Sequence, residues 1–564
     1  MRYRVRGADP SRARELGRAC GVASTTAQVL LHRGVTDPAT ARGFLGAELD
    51  GLTAPDAMAG RAAAADRIAR AIRAHELIVV FGDYDVDGTT SAALVGGVIE
   101  QLGGQVSVLT ASRFEGGYGL GDEALARVVE TRPTLLVTCD CGSSDHARIA
   151  RATSLGIDTV VVDHHLVPEE PLPALAFLNP HQPACGFPYK NLCSAGLALS
   201  LAAAVRRALD VPLDLRPWLD LVALGTIADV VPLDGDNRRL VRAGLARLAS
   251  AQARPGVQAL REAAGVRAGT PLGAIDVSFK LTPRLNAAGR LGDSTLTLAL
   301  LRAREVGEAR GIAARIEEIN NERRRIERRV TEEALAQARD VFGAEPAGGV
   351  VLAAEGWHRG VVGISAARVV DQLGVPCVVV ALDGSHGHGS CRVPDGVCDA
   401  HAALSKCAPH LERFGGHRGA AGLTLRADAV EAFRRAFFDA TANSDAHVPP
   451  SATDRIADVA IDGTDFPLPP AADLARLEPL GEGNPEPVFL IPEARVEREA
   501  QVGEDHLKLE LRFGGTRLSA FGPRIGKRAP GRGRRIAAIG ALRPDTWRGS
   551  DAVELRIDDL EVLG

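Results

Sequence analysis

Acidic residues and histidines collect where three apolar runs end. The run 77–81 (LIVVF) leads into Asp83-Tyr84-Asp85-Val86-Asp87-Gly88, the run 134–138 (TLLVT) into Asp140 and Gly142, and the run 159–162 (TVVV) into Asp163-His164-His165. In an open parallel sheet, ligands bind beyond the carboxyl ends of the strands, so the three clusters are expected to meet there. Carboxylates packed that closely repel one another unless cations neutralise them. The chemistry implied is a metal site with oxygen and imidazole ligands. Hard carboxylates with a single imidazole suit Mn²⁺ or Mg²⁺ better than a thiolate-loving metal. Asp229, in LVALGTIADVVPL, joins them, because a carboxylate in an apolar setting is costly unless paired or ligated. Taken alone, that residue reads as a capping or salt-bridged aspartate.

Two competing chemistries fall away. Asp83-x-Asp85-x-Asp87-Gly88 opens like a calcium loop, which needs a Glu at its twelfth position and a preceding helix. Here the twelfth position is Leu94 and a strand precedes. Cys139 and Cys141 flank Asp140 but face opposite ways in an extended segment, and read as small packing residues rather than nucleophiles.

The elements that must carry these residues show as a βα alternation from about 61 to 180, with helical stretches at 122–130 and 144–155, the pattern of a doubly wound α/β domain. Residues 1–60 read as short helices and 196–250 as largely helical. From 296 to 342 a long helical stretch carries Ile312, Ile316, Ile319, Ile326 and Val330 at helical spacing. Its other face holds RRRIERR (323–329), read first as a solvated face and second as a nucleic-acid contact. A second α/β unit follows, with strands at 349–353 and 376–382 and a helix at 361–373. A polar linker is expected at 441–455. The tail alternates as strands do, at 507–512 and 536–540, which predicts a small β-barrel. Its basic run GKRAPGRGRR (526–535) reads equally as a strand-tracking groove or a solvated loop.

Composition bounds the rest. A chain of 564 residues, 46% hydrophobic and 24% charged, has room for three or four globular domains. A net charge of -5 argues against a simple basic nucleic-acid coat, although local patches still serve phosphates. Nine scattered cysteines without a Cys-x-x-Cys pair oppose a zinc ribbon and fit a reducing cytosol. The N-terminus lacks the apolar core of a signal peptide, and no run approaches eighteen apolar residues. A cytoplasmic protein without a membrane span is expected.

The order Asp85-x-Asp87, Asp140, Asp163-His164-His165, Asp229 resembles the four motifs of the DHH phosphoesterase family. Within it, GDYDVDGTTSAAL, ASRFEGGYGL, LTPRLNAAGRLGD, FGGHRGAAG and LEPLGEGNPEP are similar to the RecJ branch, across essentially the whole chain. The resemblance implies an α/β architecture: an N-terminal helical segment (1–60), a parallel-sheet DHH domain (61–295), a connecting helix (296–342), a smaller α/β DHH-associated domain (343–445) and a C-terminal OB-like β-barrel (456–564). It implies a metal-dependent exonuclease that degrades single-stranded DNA 5′ to 3′ to mononucleotides, in recombination and repair. Asp140, His164 and His165 are its catalytic candidates. Asp85, Asp87, Asp140, His164 and Asp229 would hold two Mn²⁺ or Mg²⁺ ions, Asp140 between them. Asp83 would stand in for a histidine that many relatives carry at the place of Phe81. His165 would lie near the substrate phosphate.

For the substrate, the resemblance points to Arg113, Ser390 and Arg392 on a 5′-phosphate and to Arg284, Asn286 and Arg290 along the DNA path. A buried ion pair is the plainer role for any of these arginines. Gly415, Gly416 and His417, with Gly419, read as a loop whose backbone approaches the substrate. Tyr118 would stack on a base, with core packing an equal alternative. The family run Gly-Ser-x-Arg-Ser stands here as Gly389-Ser390-Cys391-Arg392-Val393, one hydroxyl short. Two divalent ions clamping a phosphodiester need no side-chain nucleophile, which fits the absence of a Ser or Cys triad. The partners implied are single-stranded DNA with a 5′ end, a single-stranded-DNA-binding protein and a helicase, with the protein itself a monomer. A DHH phosphodiesterase acting on pyrophosphate, short oligonucleotides or cyclic dinucleotides is the rival in the same class. An inactive DNA-binding scaffold is the rival outside it, opposed by the four intact motifs.

Overall fold

The computed structural model describes residues 3–114, 118–343, 346–442, 455–545, 549 and 552–564. They form two compact bodies, one of 1–282, 298–310 and 452–564, the other of 283–297 and 311–451.

The first body is built on a five-stranded, all-parallel sheet: β1 (Leu77–Gly82), β2 (Gln105–Thr110), β3 (Leu135–Cys139), β4 (Asp158–Val162) and β5 (Ala176–Leu178), in the order β2-β1-β3-β4-β5. The near-continuous Val, Ile and Leu of β1, β3 and β4 are what a sheet covered on both faces requires. Those strands match the three apolar runs to within a residue. The edge strand β2 (QVSVLT) is only half-buried and β5 is three residues long, so neither leaves a clear apolar run. This order places the chain's change of winding direction between β1 and β3, the switch point where a crevice opens in doubly wound sheets. Helix α1 (Val86–Gln101) leaves β1 and packs against α2 (Ser194–Leu209) and α3 (Leu219–Ala228). Apolar all round, α3 is buried along nearly its whole length.

The tail of the chain closes a barrel. Strands 488–502, 506–513, 516–522, 553–563 and 535–544 pair in that order, and the last pairs back on the first. The N-terminal helices Pro10–Cys20, Ser24–His32 and Pro38–Gly46 share its core, where Leu16, Leu30 and Leu45 pack with Phe489, Leu507 and Leu511. The basic run 526–535 is partly committed: Arg528 pairs with Asp559 at 2.6 Å and Arg535 with Glu493 at 3.2 Å.

In the second body, β6 (Val350–Glu355), β7 (Cys377–Asp383), β8 (His386–Arg392), β9 (Arg413–Gly416) and β10 (Ala420–Arg426) form a mixed sheet in the order β9-β10-β8-β7-β6. The helix expected over 296–342 is in fact two, Thr295–Arg302 and α4 (Val306–Phe342), with 303–305 between them. Its basic run is a largely ion-paired face: buried Arg323 meets Glu327 at 2.6 Å, Arg325 meets Glu322, and Arg329 meets Glu333 at 3.9 Å. The expected linker at 441–455 lies mostly outside the described residues, and the helix Val430–Ala442 takes up its start. The expected substrate loop of Gly415, Gly416 and Gly419 is a β-hairpin. Gly416 has φ of 145°, and a Cβ there would sit 2.5 Å from Ala420 O, so the hairpin itself requires this glycine.

Arg238 ties the first body together. It is 2% exposed, lies 3.6 Å over the Phe44 ring, and donates to the carbonyls of Phe44, Arg476, Leu477 and Pro479. Removing it strands several buried carbonyls, each costing on the order of 1–3 kcal/mol. Arg238→Ala should therefore lower the calorimetric melting temperature by an amount equivalent to about 2–4 kcal/mol. An unchanged melting temperature would contradict this role.

Candidate metal centre

The acids and histidines that end β1, β3 and β4 meet beyond the carboxyl edge of the sheet, where α3 adds Asp229. Each is set by its own local device. Asp85 caps α1 and accepts the Gly88 N–H at 3.0 Å. Asp87, in the first turn of α1, is buried and accepts the N–H groups of Ser194 (2.8 Å) and Ala195 (2.9 Å), which open α2. A helix N-terminus thus faces a carboxylate, the favourable sense of its dipole. Asp140 leaves β3 with φ of 63°, a left-handed conformation costly for any residue with a Cβ, and accepts the Ser194 hydroxyl at 3.1 Å. Asp83 is buried and accepts the Gly119 N–H at 3.2 Å, while Phe81 is buried in the core. Asp229 caps the C-terminus of α3.

Two triads of ligand atoms, each within 4.8 Å of one another, have no residue in common: Asp83, Asp85 and Asp140, and Asp87, His164 and Asp229. A third triad, Asp140, His164 and His165, draws one residue from each of them. His164 Nε2 lies 3.3 Å from Asp140 Oδ1, 3.4 Å from Asp229 Oδ2 and 4.0 Å from Asp87 Oδ2. Two disjoint triads bridged through Asp140 and His164 fit a pair of divalent ions. The decisive detail is that His164 Nε2 and Asp229 Oδ2 are both buried without a hydrogen-bond partner. Buried polar atoms are normally paired, so these two await a ligand.

The electrostatics agree. Burial, then the neighbouring Asp85, pushes the Asp87 carboxyl up to about 6. Burial, then Asp87 and Asp85, pushes Asp229 up to about 8. Burial and the same crowding hold Asp83 and Asp140 well above the usual carboxylate range. Burial pushes His164 down to about 4, which leaves the neutral imidazole a metal needs. Cys139 and Cys141 are fully buried and their thiols are pushed up by burial, so neither is a nucleophile.

Asp163 plays a part that the sequence reading assigned to no residue. It belongs to none of the triads. Its Oδ1 accepts the N–H groups of His164 (2.8 Å) and His165 (3.2 Å) and the His165 Nδ1 proton (2.8 Å), and its Oδ2 accepts the Ser143 N–H at 3.0 Å. Burial pushes Asp163 up, but the hydrogen bond and charge of His165 and the bonds from Ser143 together hold it down at about 2; burial pushes His165 down, but the hydrogen bond and charge of Asp163, with the charges of Asp229 and Asp85, together raise it to about 9. This ion pair orients His165 and leaves its Nε2–H as a hydrogen-bond donor. Asn179, fully buried, donates to His165 O at 2.8 Å and to Ser143 Oγ at 3.3 Å. Asn179 left no signal in the sequence, and Ser194 is the first helical residue of α2, behind Cys193 at the cap.

The substrate candidates divide between the bodies. In the first, Tyr118 bonds His165 Nδ1 at 2.9 Å and donates to Asp140 O at 3.1 Å; its side chain is half exposed, so it is not a core residue. Arg113 lies 4.5 Å over the Tyr84 ring. In the second, Arg392 donates to Ser390 Oγ at 2.7 Å, and a Cβ built on Gly363 would lie 3.0 Å from Arg392 Nη2, which puts both beside the first turn of α5 (Val362–Leu373). Val393 packs against the apolar core beneath, so the missing hydroxyl is replaced by a packing group. Arg284 is buried in an ion pair with Glu317 at 2.6 Å, the plainer of its two expected roles. Asn286 and Arg290 are half-buried on the helix Thr282–Leu291, and Arg290 donates to Gly360 O at 3.4 Å. His417 is exposed at the tip of the β9–β10 hairpin.

Residues 77–226 match the DHH family N-terminal domain, 347–443 the DHHA1 domain and 457–559 the RecJ OB domain. The single-stranded-DNA-specific exonuclease RecJ of Escherichia coli is 36% identical over 534 residues, which span 89% of this chain and 90% of that one. Its Bacillus subtilis counterpart is 33% identical over 575 residues, 100% of this chain and 71% of that one. The chain belongs to the RecJ family. The crystal structure of Thermus thermophilus RecJ in complex with Mn²⁺ shares the RecJ fold with it at a TM-score of 0.80 and 30% identity, covering 100% of this chain and 80% of that one. A second structure of the same RecJ holds Mg²⁺.

The raised carboxyls fix a pH dependence. Asp87 and Asp229 titrate above their ordinary range when folded, so their protonation stabilises the metal-free fold, and that stabilisation is lost as pH rises through about 6 and about 8. Metal must displace those protons. The gain in melting temperature on adding Mn²⁺ should therefore be larger at pH 8 than at pH 6, with affinity higher by on the order of tenfold or more. A metal-induced shift independent of pH would contradict the ligand set. Asp140→Asn should raise the metal-free stability by about 1–2 kcal/mol, because it removes the central charge and asparagine tolerates the left-handed backbone.

Proposed function

We propose that this protein is a metal-dependent exonuclease that degrades single-stranded DNA from its 5′ end to mononucleotides, with two Mn²⁺ or Mg²⁺ ions held by Asp83, Asp85, Asp87, Asp140, His164 and Asp229. The observation that carries the reading is the pair of disjoint ligand triads bridged by Asp140 and His164 at the switch point of a RecJ-family sheet. Ions bound there supply Lewis-acid polarisation of a phosphodiester and a water activated at neutral pH.

The chain's own residues do the rest. Asp140 draws the two triads together. Asp163 holds His165 as an imidazolium whose free ring nitrogen donates to a phosphate oxygen. Ser194 and the opening N–H groups of α2 fix Asp140 and Asp87 in place. The first turn of α5 with Ser390 and Arg392 forms a cradle of donors suited to the 5′-terminal phosphate. In the second body, Gly415, Gly416 and His417 are further proposed substrate contacts and Asn286 and Arg290 line the strand's path; in the first, Arg113 is proposed to contact a substrate phosphate. A helicase that exposes single strands and a protein that keeps them unpaired are its proposed partners, with the enzyme acting as a cytoplasmic monomer. No helix among the described residues is long and apolar enough to cross a membrane.

Asp140→Ala should fold and bind single-stranded DNA yet lose cleavage by at least about a thousandfold, since it removes a residue shared by two triads. Undiminished activity would remove the metal assignment. With wild-type protein and Mn²⁺, label at the 5′ end should leave first, as mononucleotide; early loss of 3′ label would reverse the proposed direction.

A further inference from the structure

Val230 follows the ligand Asp229 directly and carries two burdens at once. Its φ is 58°, and its side chain is 64% exposed. Of the seven non-glycine residues with positive φ among the described residues, it is the one that is β-branched. Left-handed helix caps are ordinarily filled by glycine or asparagine. A branched apolar side chain there is strained and, mostly facing water, gains little from burial. Leu166 follows His165 directly and is 73% exposed. Tyr118, whose hydroxyl meets His165, is 50% exposed. Three large apolar side chains of the first body therefore stand in water directly beside residues of the metal centre.

The polar parts of a nucleic-acid substrate are already provided for, by the ligand triads and the donors around them. What lacks a counterpart is the apolar part of a nucleotide, its deoxyribose and the flat faces of its base. Base faces near the cleaved bond are free for lateral apolar contact only where the strand is unpaired. Strain held next to a reacting centre is what binding, rather than folding, repays. On the proposed exonuclease reading, we infer that Val230 and Leu166, with the ring of Tyr118, form an apolar rim that receives the base and sugar of the nucleotide at the cleaved bond and thereby favours unpaired strands.

The rim is tested with the full chain, Mn²⁺ and two 5′-phosphorylated strands of one sequence, the second carrying abasic tetrahydrofuran units in place of its first two nucleotides. Wild-type protein should have a KM about tenfold or more higher on the abasic strand, the size expected of a base contact. Val230→Gly and Leu166→Ser should each raise KM on the ordinary strand severalfold, with a much smaller effect on kcat, and should narrow the difference between the strands. Val230→Gly should also melt higher than wild type, because glycine relieves the left-handed strain. Equal KM on both strands in wild-type protein overturns the rim while leaving the exonuclease reading intact. So does a loss in the variants that is as large on the abasic strand as on the ordinary one, since that marks a disturbed Asp229 or His165. Absence of cleavage of either strand by wild-type protein removes the exonuclease reading itself, and the rim with it.

Discussion

Two unit charges 4 Å apart repel by about 4 kcal/mol at the effective dielectric of a protein's outer layers, and the crevice beyond β1 and β3 gathers Asp83, Asp85, Asp87, Asp140 and Asp229 around one imidazole. Among the described residues of the first body, the positive groups at the cluster do not balance that total. The N–H groups of α2 and the Ser194 hydroxyl supply partial positive charge, and Arg113 bears on Asp83. These steer individual carboxylates without cancelling their repulsion, as the upward displacement of Asp87 and Asp229 records. Protons relieve part of that repulsion in the metal-free protein, and bound cations would take their place. The rigid parallel sheet, with its three buried strands side by side, holds the acids in place against their own repulsion until those ions bind.

The division of labour inside the DHH triad follows from the same constraint. If Asp163 were a sixth crowded carboxylate, it would add to the repulsion. Instead it is withdrawn into hydrogen bonds from Ser143, His164 and His165, and its pairing with His165 places a positive charge at the edge of the acidic cluster. His164 is stripped of its proton by burial and made fit to ligate. Adjacent histidines thus take opposite charge states because burial strips one ring of its proton while the other is held charged by its own Asp163.

The clustering of the acids was legible in the sequence because they follow long apolar runs, and the runs of β1, β3 and β4 declare themselves as buried parallel strands. The signal failed where burial was partial or contacts were remote. β2 alternates as an edge strand and β5 is too short to show a pattern. The hairpin of β9 and β10 hides behind glycines that read as a loop. The break at 303–305 lies in a stretch without proline or glycine, where periodicity alone runs on. At the site, Asn179 and the role of Asp163 depend on neighbours brought together by the sheet's winding, which no local spacing encodes. Arg284 is a further case. Its motif pointed to DNA, and no local spacing announced the ion pair with Glu317 that the fold gives it.

Strain is distributed in the same spirit. Asp140 and Val230 each adopt a left-handed backbone that glycine or asparagine would hold at lower cost. At Asp140 the reason is immediate: the twist turns its carboxylate toward both triads directly after β3. Val230 is 64% exposed, so little of its branched side chain is spent on packing. A feature that opposes stability and gains little from packing has to be accounted for from outside the chain. On the proposed exonuclease reading its neighbour Asp229 would hold an ion, so the substrate's apolar surface is a partner of the right character at that position. On this view the crevice recognises charge with its acids and ions, and the absence of base pairing with its rim.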